Sequence, residues 1–105
     1  MSELARLPLA ELPDKVGTHR VETSAGAVCI VRIDDRFYAI GDRCSHAEVS
    51  LSEGDVDPVE CSIECWKHGS AFSLIDGEPQ SLPATVAVPV YRVTVDGAEI
   101  VVGEP

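Results

Sequence analysis

Few aromatics, few cations and no long apolar run mark this chain, and each shortage narrows what it does. Aromatic residues make up 5% of its 105 positions, so its core has to be built from aliphatic and small side chains. Against 18 Asp and Glu stand only 8 Lys and Arg, a formal net charge of -10. Nucleic acid and anionic membrane both select basic patches, so neither is an expected partner. No window approaches the ~20 apolar residues of a membrane span, and Met1-Ser2-Glu3-Leu4 lacks the basic start and apolar run of a secretory signal. A soluble, cytoplasmic protein is expected. There is no internal repeat, and no apolar pattern of helical period lasts three turns. Nor does a nucleophile with a paired base or a phosphate-binding glycine loop stand out.

Short β-favouring runs are what the sequence does hold, in a length that suits one small domain. Residues 4–9 read as a first strand that Pro8 ends early or confines to a sheet edge. Residues 9–14 form a short turn closed by Pro13. Runs 19–23 and 27–33 make a hairpin across Ser24-Ala25-Gly26, and a tight turn at 33–36 leads to a strand over 37–40 that ends at Gly41. Residues 71–75 with the Asp76-Gly77 turn suggest another short hairpin, and 81–84 a loop. From 86 to 95 valines recur at alternate positions, before the Asp96-Gly97 turn and a returning strand over 99–102. The expected fold is all-β, with an inserted segment between an N-terminal group of strands and a C-terminal hairpin that share one core.

That inserted segment carries the chemistry. Cys44-Ser45-His46 and Cys65-Trp66-Lys67-His68 flank a stretch rich in Ser, Glu and Asp. Four cysteines in a cytosolic chain speak for metal or redox chemistry more than for disulfides. Thiolate and imidazole suit both iron and zinc, so the donor types alone do not choose the metal. Structural zinc sites of mixed type usually present a cysteine pair and then a histidine pair, whereas here each half supplies one of each. The split pattern suits a two-iron cluster with thiolates on one iron and imidazoles on the other. Cys29 lies in an apolar run and is expected to be a small buried hydrophobe, Cys61 a packing residue, and His19 a surface residue.

Cys44-Ser45-His46 followed by Cys65-Trp66-Lys67-His68-Gly69-Ser70 resembles the Rieske iron-sulfur motif. Ser50-Leu51-Ser52-Glu53-Gly54, the Ile40-Gly41 approach and the Pro83 loop are similar to those of Rieske-type ferredoxins, so the resemblance spans essentially the whole chain. It implies an antiparallel β-sandwich or barrel base, residues 1–41 and 83–105, with an inserted cluster-binding part of about 42–82. It further implies one [2Fe-2S] cluster, with Cys44 and Cys65 on one iron and His46 and His68, through Nδ1, on the other. Gly69 would let the backbone approach the cluster, the Pro83 loop would cover it from a third side, and Gly54 would serve a turn. Trp66 would shield the cluster, face a partner or simply pack.

Compared with respiratory Rieske proteins, the positions of a bridging disulfide look like Val49 and Lys67, so no such bridge forms. Ser70 is retained as a hydrogen-bond donor to the cluster, but Phe72 stands where those proteins carry a tyrosine. A lost hydrogen bond to a charged acceptor removes about 1.5–3 kcal/mol, equivalent to roughly 65–130 mV for a one-electron couple. Lys67 acts in the opposite direction, and the acids Asp42 and Glu48 are expected to offset it. A potential in the lower half of the Rieske range of about -150 to +300 mV follows. The resemblance implies a carrier, not an enzyme. It would pass electrons from an NAD(P)H-dependent flavoprotein reductase to a terminal non-haem iron oxygenase, with the acidic insert steering docking. Service to iron-sulfur assembly proteins, redox sensing and a structural zinc module are the alternatives.

Overall fold

The structure is a computed structural model that describes residues 3–45, 49–67, 69–80, 82 and 84–104. Its strands are β1 (Glu3–Pro8), β2 (Val16–Thr23), β3 (Gly26–Ile33), β4 (Arg36–Gly41), β5 (Asp55–Asp57), β6 (Ser62–Glu64), β7 (Ala71–Ser73), β8 (Val90–Asp96) and β9 (Glu99–Gly103). Six of them form an antiparallel sheet in the order β1-β9-β8-β4-β3-β2, which curls until its edge strands β1 and β2 touch. The other three make a small sheet, β5-β6-β7. The all-β expectation holds, and so do its hairpins: β2 with β3, β3 with β4 through an Asp34 in the left-handed region, and β8 with β9.

β3 explains how the two sheets share one molecule. Its Val28-Cys29-Ile30-Val31 run is buried on both faces. Because strand side chains alternate, Val28 and Ile30 point to one side, where they pack with Leu7, Ala39, Ile100 and Val102 inside the curled sheet. Cys29, Val31 and Ile33 point to the other, where they meet Ile40, Leu51, Ile63, Phe72 and Leu74 beneath the small sheet. The expectation of a single core is therefore corrected to two apolar clusters divided by β3 and β4.

Two further differences have local causes. β5 and β6 are hard to see in the sequence because each contributes one inward apolar residue among polar neighbours. Their register nevertheless stacks Val56, Ile63 and Phe72 in one row across the sheet. The valine pattern from residue 86 onward does not begin a strand until Val90, because residues 84–89 direct their hydrogen bonds elsewhere. Pro89 has no N–H for a ladder, and its carbonyl accepts from the Gly41 N–H at 2.8 Å.

Gly54 closes the 51–54 turn, as expected, with its N–H on the Leu51 carbonyl and an unremarkable φ of -88°. Its constraint is steric, since a Cβ there would lie 1.9 Å from the Glu64 carbonyl oxygen. Gly54→Ala should therefore push the 51–54 turn off β6 and lower stability by about 1–3 kcal/mol in urea unfolding, whereas Gly97→Ala, which meets no neighbour, costs only backbone strain.

Candidate metal centre

Each cysteine of the motif opens a loop closed by the same hydrogen bond. Cys44 N–H donates to the Val49 carbonyl at 3.0 Å, and Cys65 N–H to the Ser70 carbonyl at 2.7 Å. In both loops the cysteine bonds the residue five positions on, so each side chain starts a tight excursion and turns inward. Cys44 and Cys65 are 3% and 1% exposed, and both belong to the apolar cluster beneath the small sheet. The residues after them face outward: Ser45, Trp66, Lys67 and Gly69 are exposed. Gly69 adopts φ +76°, and its N–H returns to the Cys65 carbonyl at 2.9 Å. With nothing within 4 Å of a Cβ added there, left-handed backbone is what this position demands of its residue.

The first loop hangs on Asp42, one of the two acids expected to offset Lys67. Its carboxylate is instead buried, accepting from the Ser50 hydroxyl and, at 2.9 Å, from the Ser52 N–H. Arg20 Nε lies 3.3 Å away on β2, and the Asp42 carbonyl accepts from the Leu51 N–H. A buried carboxylate persists when its lone pairs are satisfied in this way. Asp42 thus gathers both ends of the loop that holds Cys44, and no spacing in the sequence marks that role.

Ser70 and Phe72, the two residues expected beside the cluster, are both fully buried. Ser70 Oγ accepts from the Ala84 N–H at 3.0 Å, which leaves the hydroxyl proton available for a second partner. Phe72 sits between Ile63 and a bridge to Pro79. Trp66 is 54% exposed, so it is not a packing residue. Val49 packs against the core while Lys67 faces solvent, and no disulfide joins any of the four cysteines. Burial, then the nearby Asp42, pushes the Cys29 thiol up, as a small buried hydrophobe requires. Cys61 is partly buried with φ 53° and bonds the Tyr38 phenol, which that bond and burial hold above its ordinary pKa. His19 is half-buried on β2 opposite Ile30 rather than fully at the surface. His46, His68, Glu48 and Pro83 lie outside the described residues. Among the described residues no three metal-binding side chains converge. Two buried thiols, unbridged and presented by matching loops in one apolar cluster, are a donor set that fits an iron-sulfur cluster.

A family profile for the Rieske [2Fe-2S] domain matches residues 4–92. The chain belongs to the Rieske family. A Rieske-type [2Fe-2S] cluster is accordingly its cofactor. The 3-phenylpropionate/cinnamic acid dioxygenase ferredoxin subunit of Escherichia coli (strain K12) is 34% identical over 105 residues, all of this chain and 96% of that one. Among solved Rieske structures, the ferredoxin of carbazole 1,9a-dioxygenase from Nocardioides aromaticivorans IC177 superposes with a TM-score of 0.90 at 33% identity, covering all of both chains. A chain from the complex of reduced oxygenase and oxidized ferredoxin in carbazole 1,9a-dioxygenase gives 0.85 at 36% identity, covering 94% of this chain and all of that one.

The Asp42 network carries an asymmetry that can be measured. Asp42→Ala removes a buried acceptor from several donors and should cost about 2–4 kcal/mol in urea unfolding. Arg20→Ala removes a partner whose side chain is 53% exposed and should cost less than about 1 kcal/mol.

Proposed function

We propose that this chain is a soluble, cytoplasmic one-electron carrier, the ferredoxin component of a multicomponent oxygenase system, and not itself a catalyst. One observation carries the reading: two buried, unbridged cysteines on identically closed loops, in a chain matched from end to end by dioxygenase ferredoxin subunits. In this reading Cys44 and Cys65 supply the thiolates and His46 and His68 the imidazoles. The cluster supplies a one-electron couple. The chain holds the two thiols in an apolar pocket away from water and offers Ser70 as a hydrogen-bond donor. Phe72 has no hydroxyl to add to it. The division of the strands into two sheets supports a reading of residues 1–41 and 83–105 as base and about 42–82 as cluster-binding part.

Electrons come from an NAD(P)H-dependent flavoprotein reductase and leave to a terminal non-haem iron oxygenase. A carbazole dioxygenase ferredoxin captured with its oxygenase supports the second transfer. Trp66, Leu82 and Val86 are 54%, 78% and 62% exposed, and they belong to the second loop and the segment beside it. They offer an apolar contact next to the outer edge of the site. Asp55, Asp57, Glu60 and Glu64 line an open groove of about 520 Å³ on the small sheet, which suits a partner with a basic docking face.

The purified protein should be brown and give the EPR signal of a reduced Rieske cluster; a colourless protein holding zinc would overturn the reading. Its midpoint should fall in the lower half of the family range of about -150 to +300 mV, because Phe72 donates nothing, and a value above about +150 mV would overturn that argument. Electron transfer with the reductase and oxygenase should slow as salt rises, and a salt-independent rate would eliminate the acidic groove as a steering surface.

A further inference from the structure

Residues 84–89 belong to no strand. Ala84 N–H donates to Ser70 Oγ at 3.0 Å, and the Val86 carbonyl accepts from the Ser45 hydroxyl. Val88 N–H donates to the Gly77 carbonyl at 3.0 Å, and the Pro89 carbonyl accepts from Gly41 N–H at 2.8 Å. These backbone groups thus reach four separate segments. Ala84 and Val88 are buried, while Thr85, Val86 and Ala87 face solvent, so the segment lies flat with one edge in the core. Each cysteine loop is closed on itself by its own hydrogen bond, and no disulfide ties one to the other. Ser45 belongs to the first loop and Ser70 ends the second. Between them runs a continuous path: Ser45 to Val86, along the chain to Ala84, and on to Ser70.

We propose that residues 84–89 are a non-covalent brace that fixes the two cysteine loops relative to each other, with Ser45 as its positioning residue on the first loop. In this role Ser45 acts through the Val86 carbonyl. Because the path is serial, cutting it at either end releases the same constraint. A hydrogen bond of ordinary net strength corresponds to about a five- to tenfold change in the equilibrium between closed and open loops. The inference rests on the metal-centre reading above.

The test measures how fast the visible absorption of the loaded protein is lost on mild heating, together with the linewidth of its reduced-state EPR signal. Ser45→Ala should bleach about five- to tenfold faster and broaden the signal, as loops that sample more geometries would. Ser45→Thr, which keeps the hydroxyl, should behave like the unchanged protein. Ser45→Ala combined with Ser70→Ala should bleach no more than about twofold faster than the worse single variant, since the path is already cut. Rates that multiply, or a Ser45→Ala protein with unchanged bleaching and linewidth, would overturn the brace while leaving the cluster assignment intact. If Ser45→Ala holds no cluster, Ser45→Thr decides: normal loading supports the bond, and failure overturns it. Absence of a Rieske signal from the unchanged protein would instead defeat the underlying reading.

Discussion

Two thiols from loops distant in sequence must reach the same water-poor pocket, and the rest of the structure follows from that requirement. A loop cannot bury a side chain without something apolar to bury it against, and a small chain has little apolar surface to give. β3 and β4 answer by presenting side chains on both faces. One face completes the interior of the curled sheet; the other becomes the floor on which Cys44 and Cys65 rest. The small sheet adds the opposite wall through the row of Val56, Ile63 and Phe72.

Around that pocket, polar groups do the aligning. Asp42 pulls the ends of the first loop together, and the bond from Cys65 to Ser70 closes the second. Ser45 and Ser70 then connect both loops to the segment at residues 84–89. Few of these contacts are strong alone, but they act on a segment already fixed by burial, where little further ordering entropy is lost. The acids are equally divided in role: Asp42 is enclosed by hydrogen-bond donors and Arg20, whereas Asp55, Asp57, Glu60 and Glu64 remain open to solvent.

Much of this was legible in the sequence, for identifiable reasons. The hairpins at Ser24-Ala25 and Asp96-Gly97 announce themselves because turns demand particular residues. The Cys-x-His and Cys-x-x-His halves do so because a split donor set suits few centres. What stayed hidden depends on tertiary partners. Alternate valines from residue 86 look like a strand, since side-chain period says nothing of where the backbone bonds go. β5 and β6 carry one inward residue each, too few to reveal a period. Asp42 resembles any other acid in an acidic stretch, and Gly54 any other turn glycine, until the Ser52 N–H and the Glu64 carbonyl are seen beside them.

β3 has one more implication. Odd-numbered positions along it, Cys29, Val31 and Ile33, border the metal pocket, while Val28 and Ile30 border only the interior of the curled sheet. A change at Val28 or Ile30 is therefore felt first in the interior of the curled sheet and one at Cys29 or Val31 first in the cluster that holds Cys44 and Cys65, so neighbours on a single strand answer to different halves of the molecule.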